Sequence, residues 1–128
     1  MSKRQSVNFA SFRHVNPIPN ASRIGNIVMS SVINGMDPGT RALPPELAQQ
    51  LANMFLHVRN AVEAAGGTVD DIIKMNVWMK DPVTQREALN VEWVKMFPDD
   101  ASRPARHTMP LGPDSKALVS CDFTAVLG

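Results

Sequence analysis

The sequence has one cysteine, Cys121, and therefore no intrachain disulfide framework. It contains no Cys/His spacing typical of a structural zinc site. An excess of charge is also missing, since 13 basic residues stand against 12 acidic ones and the net charge is +1. Proteins that bind nucleic acids or anionic membrane surfaces usually carry a basic patch, so this balance argues against both classes.

Long apolar runs are absent as well. The first residues hold no signal-peptide segment, and nothing approaches the roughly 20 apolar residues of a membrane span. We therefore expect a cytoplasmic protein. No repeat, low-complexity tract or linker divides the 128 residues, so we expect a single domain over residues 1–128. A chain of this length can bury a core without disulfides or metals.

Hydrophobic periodicity predicts a mixture of helices and strands. Apolar residues recur at three- and four-residue steps from Leu47 to Ala65, and Gly66-Gly67 ends that helix. His57 lies off the apolar stripe and is expected to be solvated. A second helix is predicted from about Thr84 to Phe97. Strands are predicted over Arg4–Phe9, Ile24–Ile33, Ile72–Lys80, Ala105–Met109 and Ala117–Val126.

The resulting order is β-β-α-β-α-β-β, which indicates an α+β fold. Two helices can cover only one face of such a sheet, so the second face is left open. Strand alternation places Ile72, Trp78, Leu118 and Val126 on that open face. An apolar patch of this kind on a small domain is typical of a subunit contact, and we expect an oligomer.

Arg106 is the strongest candidate for a binding residue. It follows a loop bracketed by Pro98 and Pro104 and stands at the start of a predicted strand. Its planar guanidinium donates two parallel hydrogen bonds to a carboxylate, and a rigid strand would hold it in place. An arginine in a surface ion pair is the alternative. Thr108 lies on the same strand face and offers a hydroxyl.

Four segments of the sequence resemble the RidA/YjgF family. They are Glu63–Lys74 with its Gly-Gly and Asp-Asp pairs, Lys80-Asp81, Asn90 in the second helix, and Pro104-Ala105-Arg106. The likeness extends from about Pro17 to Val126. It implies a chorismate-mutase-like mixed sheet with two helices on one face, in a homotrimer with a central β-barrel. It also implies sites in clefts between subunits, with no metal or organic cofactor.

The resemblance implies an activity and some of the residues for it. The family hydrolyses reactive 2-imino acids, or their enamine tautomers, to 2-oxo acids and ammonia. Arg106 matches the family's carboxylate-binding arginine, and Asn90 is a further candidate substrate contact. Ile18 stands in the segment where the family has a tyrosine, in a chain without any tyrosine. Val32 and Ile33 stand near the family's Ser-Gly-Gln, and we include all three as substrate-binding candidates.

The catalytic positions depart from the family pattern. Imine hydrolysis needs a bound carboxylate, a positioned water and a proton source. Ser120 replaces the family's water-positioning glutamate, and Asp122 lies on the same strand face at about 6–7 Å. Thr108 replaces the expected cysteine. We take Thr108, Ser120 and Asp122 as catalytic candidates, with a structural role for Asp122 equally open. His107 alternates away from Arg106, toward the helix layer or an edge.

Three functions follow from these observations. The first is a deaminase of imines or enamines bearing a carboxylate, either 2-imino acids or aminomuconate-like compounds. The alternative is a non-catalytic trimer that binds small carboxylates as a regulator, because Ser120 stands where a carboxylate is expected. The family's older label of endoribonuclease or translation inhibitor is disfavoured by the near-neutral charge.

Overall fold

The computed structural model describes residues 3–128, which form one mixed sheet of seven strands with two helices on one face. The strands are β1 Gln5–Val7, β2 Ala21–Ile24, β3 Ile27–Ser30, β4 Ile33–Asn34, β5 Ile72–Met79, β6 Ala105–Pro110 and β7 Val119–Val126, and the helices are α1 Leu47–Ala64 and α2 Arg86–Met96. The sheet order is β1-β2-β3-β7-β5-β6, with β4 also paired to β7. The β5–β6 pair is parallel, whereas the other strand pairs run antiparallel. The predicted α+β architecture is confirmed.

The first helix is the predicted one. Its apolar stripe, including Leu51, Val58 and Val62, is buried against the sheet. Gly66 ends it at a φ of 97°, a left-handed conformation that glycine adopts without the steric penalty of a Cβ. Thr68 and Asp71 then form a capping box around a single 3-10 turn that leads into β5.

The prediction that His57 is solvated is wrong. Its side chain is fully buried, with Nε2 2.7 Å from the carbonyl oxygen of Met36. Its ring lies 4.7 Å from that of Phe12, centre to centre. The N-terminal segment and the loop after β4 cover a second side of α1, where Gln50 and Asn53 are also buried. Helical periodicity identifies the side that faces the sheet but not a side covered by loops.

The predicted strand Ile24–Ile33 is in fact a hairpin followed by a short strand. Gly25-Asn26 forms the two-residue turn between β2 and β3, with Gly25 at a φ of 57°. Before the turn, Ala21–Ile24 pairs along β3. After it, β4 leaves β3 and pairs with β7 at Cys121. The second predicted helix begins at Arg86, two residues later than expected.

A β-bulge shifts the faces of β5. The register with β7 is irregular between Ile72 and Lys74, so one extra residue enters the strand there. Ile72 is consequently buried at 4% exposure, whereas Ile73 is 54% exposed. The expectation that Ile72 lies on the open face is therefore wrong. Beyond the bulge Met75, Val77 and Met79 are buried.

The second face of the sheet has no helix over it in residues 3–128, and we call it the open face. Exposed apolar side chains on it include Ile27, Met29 and Val126. Trp78 and Leu118 are half-buried. The open face is thus apolar along β3 and the end of β7. Among its polar groups, Asp122 accepts a hydrogen bond from the Asn76 side chain at 2.8 Å.

Candidate functional site

Arg106 projects from the edge strand β6 on the side of the sheet that the helices cover. The parallel register pairs it with the buried Met75, which fixes that side. Its guanidinium carbon lies 4.8 Å from the centre of the Trp93 ring on α2. Trp93 is itself buried and contacts the ring of Phe97 edge-on at 4.8 Å between centres. A cation over a rigid indole face is held in place by the ring quadrupole.

The guanidinium of Arg106 has unused hydrogen-bonding capacity. Its Nη1 is buried and has no hydrogen-bond partner within residues 3–128. The same part of the chain places no carboxylate within ion-pairing distance of it. Burial lowers the pKa of Arg106, and the neighbouring positive charge of Arg86 lowers it further. An unpaired buried donor is costly, so an incoming carboxylate would be stabilising. The alternative of an arginine in an intrachain ion pair is not what the structure shows.

Thr108 lies on the same side of β6 as Arg106. It pairs in register with the buried Val77 and is half-buried. His107 pairs with Asn76, which bonds to Asp122, so His107 lies on the open face and is exposed. Of the two predicted placements of His107, the helix layer is wrong, whereas β6 is an edge strand of the sheet. On α2, Asn90 lies one helical turn before Trp93 and is half-buried. We call Arg106, Thr108, Asn90 and Trp93 the β6 half-site.

Ser120 and Asp122 lie elsewhere, on β7 and on the open face. Ser120 pairs with Trp78 of β5 and is buried. Because β5 separates β6 from β7, two inter-strand spacings, about 10 Å, lie between these residues and Arg106. They also project from the opposite face of the sheet. A single chain therefore does not bring Arg106 together with Ser120 or Asp122.

The remaining predicted binding positions lie near β7. Ile18 and Val32 lie in two segments that a hydrogen bond joins. The hydroxyl of Ser31, next to Val32, donates to the carbonyl oxygen of Pro19, next to Ile18, at 2.7 Å. Ile18 and Val32 are both exposed. The side chain of Ile33 is fully buried, and β4 pairs there with Cys121, so only backbone atoms of Ile33 can face a ligand. We call Ile18, Val32, Ser120 and Asp122 the β7 half-site.

Cys121 takes no part in either half-site. It points into the core on the side opposite Ser120 and Asp122 and is fully buried. Burial raises the pKa of its thiol, and the adjacent charge of Asp122 raises it further. In residues 3–128 no three His, Cys, Asp or Glu side chains gather closely enough to hold a metal ion. No helix within that range is long and apolar enough to span a membrane.

Trp93 and Arg86 of α2 are not among the predicted site residues. Both belong to the surroundings of Arg106, Trp93 by contact and Arg86 through its charge. A signal was present in the sequence, because Arg86, Asn90 and Trp93 follow the i, i+4, i+7 spacing of one helix side.

Two helices on one side of a mixed sheet, with a partly buried arginine on its parallel edge strand, define a small α+β domain of the chorismate-mutase-like class. The chain belongs to the RidA/YjgF family, as a match of residues 10–119 to the family model described as "Endoribonuclease L-PSP" shows. The family resemblance seen in the sequence is confirmed.

Three relatives illustrate the match. The chain is 30% identical over 93 residues to "2-iminobutanoate/2-iminopropanoate deaminase" of Escherichia coli (strain K12), covering 72% of each chain. It is 29% identical over 86 residues to a "RutC family protein" of Haemophilus influenzae, covering 67% of this chain and 65% of that one. The crystal structure of RidA from the Antarctic bacterium Psychrobacter sp. PAMC 21119 is 25% identical, with a TM-score of 0.85 and coverages of 96% and 99%.

Proposed function

We propose that this protein is a hydrolytic deaminase of imines or enamines that carry a carboxylate, with ammonia and a 2-oxo acid as products. The observation that carries the proposal is the partly buried guanidinium of Arg106 on the edge strand, whose Nη1 has no hydrogen-bond partner within residues 3–128. Relatives named as 2-iminobutanoate/2-iminopropanoate deaminases support a general imine deaminase role. The substrate would be a 2-imino acid or an aminomuconate-like compound.

The chemistry requires little beyond binding and proton transfer. With the substrate carboxylate on Arg106, the adjacent imine carbon lies along β6 toward Thr108. Water adds to that carbon, so a C–O bond forms and the C=N π electrons move to nitrogen, which takes up a proton. The C–N bond of the carbinolamine then breaks, nitrogen leaves as ammonia, and the hydroxyl loses its proton to give the 2-oxo acid. Holding carboxylate, water and proton donor together supplies much of the rate acceleration.

We assign the hydroxyl of Thr108 to the substrate nitrogen or the water, because it shares a strand face with Arg106. Ser120 and Asp122 are the candidates for positioning the water. Since they lie on the opposite face of the same sheet, they would reach the substrate of another subunit. This favours a site completed between copies of the chain.

A homotrimer whose open faces form a central β-barrel would meet this requirement. The exposed apolar side chains of Ile27, Met29 and Val126 support burial of that face against a copy of the chain. Each cleft would then combine the β6 half-site of one subunit with the β7 half-site of its neighbour. We further propose that the reaction takes place in the cytoplasm and needs no cofactor.

The test uses imines generated in situ from amino acids by an amino-acid oxidase, with semicarbazide as a competing trap. Hydrolysis by the protein would reduce semicarbazone formation. We expect Arg106→Ala to lower the rate at least about tenfold, since hydrogen bonds to charged groups contribute about 1.5–3 kcal/mol. Arg59→Ala, at an exposed position of α1, is the matched control. Equal rates for wild type and Arg106→Ala would contradict the proposal.

A second candidate is a non-catalytic regulator that binds small carboxylates. Ser120 favours it, because a serine hydroxyl at this position of β7 cannot act as a general base in the way that a carboxylate does. Calorimetry would then show carboxylate binding that is lost in Arg106→Ala, without turnover of any imine. Loss of turnover in Asp122→Asn, with folding intact, would instead favour the enzyme.

A further inference from the structure

One side of α2 contributes to the β6 half-site. Arg86, Asn90 and Trp93 follow one another at i, i+4 and i+7, which places them along the same side of the helix. Trp93 fixes where that side faces, because its ring contacts the guanidinium of Arg106. Trp93, beside Arg106, is therefore one end of this row of side chains, and Arg86 is the other end.

Arg86 is poorly placed for the stability of the helix. It is the first residue of α2, at the positive end of the helix dipole, where an acidic residue is favoured. Arg86 shares its helix side with Trp93, which contacts Arg106, and the positive charge of Arg86 lowers the pKa of Arg106. Within residues 3–128 neither arginine has a carboxylate in ion-pairing distance. Two cations that form no ion pair with a carboxylate repel each other, and a ligand with two negative charges would relieve this repulsion.

Resting on the proposed function, we propose that the ligand is a dicarboxylate, with one carboxylate on Arg106 and the second on Arg86. The substrate class is then the imine or enamine of a short-chain dicarboxylic acid. Along the helix axis, Arg86 and Trp93 are about 10 Å apart, a gap that the long arginine side chain can reduce. Arg86 acts as a specificity-determining residue and does not touch the reacting carbon.

The two guanidinium groups give the expected preference. A monocarboxylate pairs with Arg106 and leaves Arg86 to solvent, so removing Arg86 changes its affinity little. A dicarboxylate gains a second charge-assisted hydrogen-bonded contact. Because Arg86 is exposed, that contact is partly screened by solvent and salt, and we expect a preference of about tenfold, not more.

Calorimetry with succinate and butyrate, which have equal carbon number, tests the proposal on the wild-type protein. We expect succinate to bind about tenfold more tightly. Arg86→Gln should abolish this preference while changing butyrate affinity less than twofold, and Arg86→Lys should retain part of it. Arg59→Gln removes the same charge from an exposed position of α1 and should behave as wild type. Circular dichroism confirms that each variant is folded.

The outcomes separate this inference from the proposed function. Equal affinities of the wild type for the two acids, or equal loss of both in Arg86→Gln, would overturn the dicarboxylate assignment. Turnover of monocarboxylate and dicarboxylate imines at equal rates, unaffected by Arg86→Gln, would overturn it while leaving the deaminase proposal intact. A succinate preference that depends on Arg86, without turnover of any imine, would support the ligand class and contradict the deaminase. Absence of binding by either acid would overturn both.

Discussion

The guanidinium of Arg106 and the indole of Trp93 are in a cation–π contact, with 4.8 Å between the guanidinium carbon and the ring centre. The two residues come from different elements, the edge strand β6 and the helix α2. The indole lies against the guanidinium, so a ligand must approach the N–H donors that the indole leaves accessible. The contact therefore fixes the orientation of the guanidinium as well as its position.

We predict that Trp93→Leu weakens carboxylate binding. A cation–π contact contributes roughly 0.5–2 kcal/mol, so the Kd should rise about 2- to 30-fold. Trp93→Phe keeps an aromatic ring at this position, and its Kd should lie between those of the wild type and Trp93→Leu. Calorimetric titration with a carboxylate measures both, and thermal unfolding accounts for the loss of packing. Unchanged affinity in folded Trp93→Leu would show that the contact does not position Arg106.

A second prediction concerns pH and the buried His57. Burial lowers the pKa of His57, and its hydrogen bond to Met36 only partly opposes this. Nε2 donates to the Met36 carbonyl, which leaves Nδ1 bare, buried and without a partner in residues 3–128. The folded chain then binds protons less readily than the unfolded chain. The free energy of unfolding should therefore decrease as the pH falls below about 6.5, the unfolded value.

His57→Gln should reduce that dependence on pH. Chemical denaturation at pH 7.5 and pH 5 measures the difference for each protein. His14 contributes in the same direction, because burial and then the charge of Arg41 lower its pKa. The exposed His107 provides the matched control, His107→Gln. A decrease of equal size in wild type and His57→Gln would contradict the assignment to His57.

A third prediction concerns Gly35, where the loop after β4 crosses α1. A Cβ at this position would overlap the backbone of Gln50, including its carbonyl oxygen. Backbone cannot move aside as a flexible side chain can, so Gly35→Ala should destabilise the protein by about 3 kcal/mol or more. Denaturant unfolding measures it. In Gly112→Ala the added Cβ has no atom within 4 Å, and stability should stay near that of wild type.

A fourth prediction concerns the open face. If copies of the chain associate there, Met29→Asp should dissociate them, because burying an unpaired carboxylate in an apolar contact is costly. Light scattering should show a monomer, and deaminase activity should be lost as the two half-sites separate. Leu56→Asp places the same charge on an exposed position of α1 and should leave the assembly unchanged. An unaltered mass for Met29→Asp would exclude the open face as the interface.

The sequence predicted the elements with strong, regular periodicity. In α1 and in β5 beyond its bulge, core positions follow the periods of 3.6 and 2 that burial against one surface imposes. The Ala21–Ile24 strand was missed because it contains one β-branched residue, Ile24, and its turn was read as the start of a strand. The prediction that Ile72 lies on the open face was wrong, because a bulge breaks the alternation of the strand and no sequence feature marks that bulge.

The sequence predicted part of the candidate site, because strand alternation also determines which site residues share a face. Arg106 and Thr108 share a strand face, as alternation requires, and this was correct. That Ser120 and Asp122 lie on the opposite face follows from the parallel register of β6, which depends on a crossover through α2. Nor does periodicity reveal that Trp93 contacts Arg106, since this depends on how α2 packs against the sheet edge.

Cys121 makes the unfolding of this chain directly observable. The thiol lies in the middle of β7, fully enclosed, and its raised pKa keeps it protonated. Thiol reagents act on the thiolate, so labelling should proceed only through molecules in which β7 has opened. Because the chain has one cysteine, the labelling rate reports the opening of the central sheet at a single site. The same enclosure protects the native protein from oxidative cross-linking between molecules.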